Sequence, residues 1–484
     1  MKRRNAFALA LLAFVAALAA HLGDPHLSGV TFAMAVVGTT GPGAAPTSAP
    51  GDGTGAVSGN INEAMKIIFE EPLTNSITAD SELLDLFEQD TNVKVNETTG
   101  GRYIEMAHYF ALPAGVGART LEGDYIPVPS GPKIRNSQVY LKKIEGTVEM
   151  SGDVMRRVRQ GEGAFVTWAN RALPDLKERV DNELDRMLLG YGAGIKARIN
   201  DIDPDDADLT IGIDAALGIA GLEPAWLQFL EGESVVFGPT ADGLNLRDSG
   251  AAYSIEDIDI DTGHLVLGAE PSATVADSDF IFAGDAAGNS GGEKEIMGLH
   301  GMVDDGTILA TFQGLARASY RLWNGQIIDG SAAPASGELT EILLTKADDD
   351  TAIRGKGEID CLVMSRTTAR NFWANLLNDK RLVDPRTYSG GKGGLEMMFN
   401  NKTLNLKVCR KMPDTLVFGL DTSTMKHWRN TGWEWDDITG SIWNRATDAT
   451  GRRDAFYAVG HIVLQTGCIA PAKNFKIDGL LATY

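Results

Sequence analysis

Between residues 113 and 132 the chain carries four prolines and four glycines in twenty positions, with no apolar period. Proline lacks the backbone donor and glycine loses the most entropy on ordering, so this stretch cannot form a helix or a central strand. Its flanks differ in kind. Arg102–Leu112 alternates and is rich in Tyr, Ile and Phe, and Ser137–Met150 alternates again, which predicts two strands pairing as a hairpin. A compact domain rarely tolerates so long a structureless connection unless it works outside that domain. Residues 100–152 therefore predict an extended two-stranded arm.

After Gly161, Leu173, Leu176, Val180, Leu184, Met187 and Tyr191 recur at spacings of three and four, which predicts a long amphipathic helix with Val180 and Leu184 on its buried stripe. Pro174 suits its first turn or marks a kink, and Gly190, Gly192 and Gly194 end it. Residues 201–300 read as short strands and turns, such as Tyr253–Asp261, the turn Thr262-Gly263, and His264–Leu267. Helices are expected over 338–347 and 364–379, and strands over Ile359–Met364, Leu404–Cys409 and Leu416–Leu420. The fold class is therefore α+β. Ahead of the arm, Ile61–Gln89 has a short helical pattern with Leu83, Leu84, Leu86 and Phe87 clustered. Residues 38–59 are almost wholly Gly, Ala, Pro, Thr and Ser and read as a linker. There is no internal repeat.

The net charge of -21 argues against a chain whose main task is to wrap nucleic acid. The acidity is confined. Residues 201–300 hold 21 acidic against two basic side chains, Arg247 and Lys294, whereas residues 131–200 hold 13 basic against 9 acidic. The three cysteines, Cys361, Cys409 and Cys468, are widely spaced in apolar settings and read as buried reduced thiols. Lys2-Arg3-Arg4 followed by the apolar run Ala6–Ala20 leaves three alternatives open for the start: a secretory signal or anchor, a removed pro-segment, or a misplaced start codon.

Several motifs invite chemistry. Gly288-Asn289-Ser290-Gly291-Gly292 resembles the nucleophile loop of trypsin-like serine proteases, but His108 and His264 lie in the wrong contexts for its base, and Glu293-Lys294-Glu295 replaces the expected apolar strand. Asp257, Asp259 and Asp261, with Asp203, Asp205, Asp206 and Asp208, could offer calcium oxygen ligands. Neither stretch fits an EF-hand loop, and a solvated strand face accounts better for the first three. Trp428, Trp433, Trp435 and Trp443 fall within sixteen residues, either as a stacking platform or, the better account, as core or subunit-contact anchors, with Trp433 and Trp435 on one strand face. His300 and His461 make no ligand pair, and no Walker loop, dinucleotide fingerprint or Cys-x-x-Cys appears. No cofactor, metal or small-molecule substrate is implied.

The order of arm, long helix and mixed sheet-and-helix region resembles the major capsid proteins of tailed bacteriophages with the Hong Kong 97-type fold. Local text agrees over Gly314–Gly330 with Trp323-Asn324-Gly325, over Gly337–Leu382 with Ser365-Arg366-Thr367, and over Gly451–Phe456 and Pro471–Leu480. The resemblance covers about 60–484. It implies 1–59 as signal-like or pro-segment with linker, 60–99 as N-terminal arm, 100–152 as E-loop (Arg102–Met150), and 153–200 as peripheral domain with a spine helix over Gly161–Ile199. It further implies 301–334 as a return to the peripheral domain, 335–465 as axial domain and 466–484 as C-terminal segment; the acidic block 201–300 departs from the family pattern, being longer than a minimal fold needs, and is expected to be an inserted β-rich segment. A subunit of this kind is no enzyme. It self-assembles as hexamers and pentamers into an icosahedral head enclosing double-stranded DNA, with portal and scaffold or decoration proteins as partners, in the host cytoplasm and then the virion.

By location, Lys133, Arg135 and Lys142 in the arm are assembly candidates, as are Val180 and Leu184 through the helix. Some relatives cross-link Lys to Asn, and Lys133 or Lys142 is placed for that, although no matching motif is found. Arg156, Arg157 and Arg159, with Lys133 and Arg135, are candidates for contact with packaged DNA. The rival is a secreted β-rich binding protein, which would use the signal-like start and the tryptophans but gives the arm no task.

Overall fold

A computed structural model describes residues 81–90, 103–111, 116, 131–154, 163–202, 209–243, 245–272, 274–284, 295–332, 336–379, 396–399, 402–437, 440–448 and 451–481. The chain divides into two compact units, 1–53 and 54–484, and all described residues belong to the second.

A short strand β1 (Glu88–Gln89) precedes the arm strands β2 (Tyr103–Ala111) and β3 (Lys133–Tyr140), which pair antiparallel from Tyr103↔Tyr140 to Ala111↔Lys133. The hairpin differs from the expectation in one respect. Ser137–Met150 is not a single strand: the chain breaks at Leu141, and β4 (Lys142–Ser151) leaves the arm to pair with β20 (Gly451–Cys468). Continuous alternation fixes which side chains share a face but not which strand lies alongside, so the change of partner leaves no mark in the pattern.

The helix α1 runs over Gly163–Leu189 and not to Ile199, and Pro174 lies inside it. Gly192 and Gly194 at φ +84° and +75° turn the chain out of the helix through left-handed backbone. The residues expected to finish the helix instead begin β5 (Ile195–Ile202). Leu173, Leu176, Val180, Leu184 and Leu188 form the buried stripe and meet Ile144, Val148 and Met150 in one core.

β5 opens a closed barrel completed by β6 (Thr210–Asp214), β7 (Ser234–Gly238), β8 (Tyr253–Asp259), β9 (His264–Leu267) and β10 (Phe280–Ala283), ordered β10-β5-β6-β9-β8-β7 with antiparallel pairing throughout. Ile199, Ile211, Val235, Phe237, Ile255, Leu265 and Ile281 are buried, while Asp201, Glu256, Asp257, Asp259 and Asp261 are exposed. These described carboxylates thus lie on the barrel exterior, and closure of the barrel leaves it no free sheet edge.

A one-turn helix α2 (Leu299–Met302) and the small pair β11 (Thr311–Phe312) and β12 (Leu315–Ala316) follow. A six-stranded mixed sheet is then built from β13 (Gln326–Asp329), β14 (Cys361–Met364), β15 (Glu396–Phe399), β16 (Lys402–Val408), β17 (Val417–Leu420) and β21 (Phe475–Asp478), ordered β13-β21-β17-β14-β16-β15. Helices α3 (Glu341–Gly355) and α4 (Arg366–Asp379) supply Leu343, Leu344, Ala347 and Phe372 to one face, against Leu362, Met364, Val417 and Ile477. The other face, with Cys361, Val363, Phe418 and Leu420, joins the large core. A five-stranded sheet forms around β20, with which β4, β18 (Met425–Trp435) and β19 (Asn444–Asp448) pair, so residues 335–465 feed two sheets. β1 adds parallel to β18. No described helix is long and apolar enough to cross a membrane.

Candidate assembly site

The arm has two unlike faces. Ile104, Met106, His108 and Phe110 with Ser137 and Val139 turn inward, because strict alternation sends them to the same side of the ribbon. Ile104 and Val139 pack on Trp428, and the His108 and Phe110 rings lie 4.6 and 5.9 Å from that of Trp323. Tyr320 sits at the centre of the contact. Its ring is 4.6 Å from that of Phe110, the Lys133 ammonium lies 5.2 Å over it, and Arg135 Nε donates to its hydroxyl at 3.0 Å. Gln138 N–H donates to the Gln313 carbonyl at 2.8 Å, and Gln465 Nε2 donates to the Tyr140 carbonyl at 3.0 Å. Two of the arm candidates, Lys133 and Arg135, are therefore held on their own subunit. Lys142 stands at the start of β4, half-buried opposite Leu464.

The outward face has no such cover among the described residues. Tyr109, Tyr140 and Ile134 are 69%, 50% and 38% exposed, and Tyr103 lies 5.4 Å from Tyr140 as a cross-strand aromatic pair. Tyr109 and Ile134 are register partners on this face, and Tyr140 lies six residues along the ribbon from Ile134.

Val180 and Leu184 are 6% and 1% exposed, inside the subunit. One turn on, the helix enters a buried charge network. Arg186 reaches Glu183 at 2.9 Å and Glu295, and Lys196 of β5 reaches Glu183 at 2.9 Å and Glu233 at 2.7 Å. Burial pushes the Glu183 carboxyl up, but Lys196 and Arg186 outweigh it and hold it well below the usual carboxylate range. The network ties helix, barrel and the segment after the barrel together. Sequence reading missed it, because its members lie far apart in the chain and only Glu183 and Arg186 share an i, i+3 spacing that hints at pairing. A second buried charge was missed in the same way: Arg317 donates to the carbonyls of Asp304, Trp323, Gly301 and Met302.

The motifs suggesting other chemistry resolve as packing where they are described. Trp428, Trp433, Trp435 and Trp443 are all at most 6% exposed, and Trp433 and Trp435 meet edge-on at 5.8 Å, so they offer no stacking platform. His108 shares a 2.7 Å hydrogen bond with Ser137, but that serine is fully buried beneath the arm, out of reach of any substrate carbonyl. Asp259 accepts from Asp261 N–H and from the Thr262 N–H and hydroxyl, closing a turn, and no metal-binding group appears among the described residues. His300 is buried and its imidazole held well below its ordinary value of 6.5 by burial. Cys361, Cys409 and Cys468 are buried free thiols. The protease-like loop 288–292, Asp203, Asp205, Asp206 and Asp208, and the DNA-facing candidates Arg156, Arg157 and Arg159 lie outside the described residues.

No family model matches the sequence, and no curated protein matches it. Solved structures do. The solved structures similar to this chain include phage capsids. The cyanophage A-1(L) capsid asymmetric unit is 11% identical, with a TM-score of 0.44 over 83% of this chain and 93% of that one. The capsid of the native GTA particle is 8% identical, with a TM-score of 0.39 over 83% and 91%. The capsid of Myoviridae phage XM1 is 9% identical, with a TM-score of 0.38 over 83% and 92%.

Proposed function

We propose that the chain is the major capsid protein of a tailed phage, a shell subunit that assembles as hexamers and pentamers around double-stranded DNA. The observation that carries this reading is the arm: one face is pinned to its own subunit through Tyr320, Trp323 and Trp428, while the other presents Tyr109, Ile134 and Tyr140 uncovered. The uncovered face of such a ribbon gains stability by lying on a neighbour, so folding of the arm and assembly support each other. In this reading β2 and β3 are the E-loop, α1 is the spine helix, the six-stranded sheet with α3 and α4 is the axial domain, and the barrel is an insertion. Portal, scaffold and decoration proteins are the further partners.

The test is to express the chain with its native gene neighbours and examine the product by sedimentation and electron microscopy. Closed shells are expected. A monomer that stays monomeric at micromolar concentration, with crowding agent or scaffold present, would overturn the proposal.

A further inference from the structure

Helix α3 has two opposite faces. Leu343, Leu344, Ala347 and Thr351 are buried, whereas Ile342 and Ile353 stand 73% and 80% exposed on the far side. After Val116 these two are the most exposed large hydrophobic side chains among the described residues. One such side chain at the surface is ordinary, but this pair shares a line: eleven residues are close to three whole turns, so both project in the same direction from the helix. Lys346 and Asp349 lie between them on that line, both exposed, and neither forms an ion pair among the described residues.

Read backwards, this stripe is its own chemical complement. A two-fold axis crossing the helix between Ala347 and Asp348 sets Ile342 opposite Ile353 of a second copy at both ends, and Lys346 opposite Asp349 twice in the middle. A parallel pair in register would instead oppose lysine to lysine and aspartate to aspartate, which repels. We propose that α3 packs antiparallel on α3 of a second copy of this chain, closing a two-fold dimer through these four residues. Each copy then covers the other's isoleucines, and each lysine gains the carboxylate that its own helix does not bring to it. A single helix pair buries less than a standard interface, so the dimer is weak and depends on concentration. A two-fold contact closes on itself, whereas rings of five or six subunits are built by heterologous contacts, so this dimer is a form of the free chain and not a step in ring closure. The inference does not depend on shell formation.

Two measurements on the full chain, kept too dilute for shells to form, test it. Positions 342 and 353 lie about 16 Å apart along one helix, far beyond the roughly 5.5 Å between Cα atoms that a disulfide spans, so cysteines there cannot link within a chain. With Ile342→Cys and Ile353→Cys together and copper phenanthroline as oxidant, linked dimers are expected on non-reducing gels. Either substitution alone should give none, because the two-fold axis holds like positions about 16 Å apart as well. The native cysteines are buried, so they add little background. No dimer from the double variant, or an equal yield from a single one, overturns the proposal. The second measurement reads charge at two exposed sites, where folding is not at risk. Lys346→Asp turns both ion pairs into repulsions and is expected to weaken self-association in sedimentation velocity about tenfold; adding Asp349→Lys should bring it back to within about threefold of the parent. Self-association unchanged by Lys346→Asp, or not restored by the swap, overturns the proposal.

Discussion

A single side chain shows how closely the body is packed beneath the long helix. Gly146 of β4 and Gly460 of β20 are register partners, and a Cβ on either would collide with the Trp433 indole, at 2.9 Å from Gly146 and 2.3 Å from Gly460. The same Gly146 position lies 2.8 Å from Leu176 of the helix, so the paired glycines create the space in which an indole is laid between sheet and helix. Val180 and Leu184 close that layer. Changing either to Asp places an unpaired charge in an apolar core and is expected to cost on the order of 4 kcal/mol. A lower urea midpoint and loss of soluble chain would show it, whereas an unchanged midpoint in both variants would remove these residues from the core. The spacing of Leu173, Leu176, Val180 and Leu184 was legible in the sequence because helical periodicity is local. The task of Gly146 was not, since a glycine in an alternating strand announces a close approach without naming what approaches.

The arm is the element whose behaviour is easiest to separate from the rest. Its strands were legible from alternation and from the proline- and glycine-rich stretch between them. Its root was not, because Tyr320 lies far along the chain in a segment without a regular period. Removing the ring with Tyr320→Ala deletes the contacts to Phe110 and Lys133 and the hydrogen bond from Arg135, together worth about 1–2 kcal/mol. Local opening of the arm should then rise about tenfold, read as faster limited proteolysis between residues 112 and 132. Tyr320→Phe keeps the ring and loses only the hydrogen bond, so it should stay within about threefold of the parent. If Ala and Phe behave alike, the ring contacts do not hold the arm. The helix boundary was less legible: the apolar period ran on to Tyr191, and the sequence did not reveal that Ile195 starts a strand, because short apolar runs suit either element.

At the scale of the whole folded unit, the charge distribution becomes a matter of architecture. Residues 201–300 carry a net -19, and closure of the barrel leaves Asp201, Glu256, Asp257, Asp259 and Asp261 exposed while Ile211, Phe237, Ile255 and Leu265 fill the inside. Lys196, on the first strand of that barrel, is bonded to Glu183 of the helix, so the acidic surface is fixed to the body by buried ion pairs. In a shell around DNA, such a surface facing the phosphates would be repelled, and screening over about 8 Å at physiological salt would not relieve groups in direct contact. The barrel is therefore expected on the outer surface or at a subunit border, with the inner wall drawing on basic residues such as Arg156, Arg157 and Arg159. A rival account is that its carboxylates hold divalent cations between subunits, which would neutralise the charge and free its placement. Within one subunit Asp259 already spends its oxygens on its own turn, which favours the solvated surface. Chelation separates the two accounts. Particles treated with EDTA should keep their sedimentation rate, whereas dissociation reversed by calcium would establish the cation role, and a barrel found on the inner wall without metal would refute both.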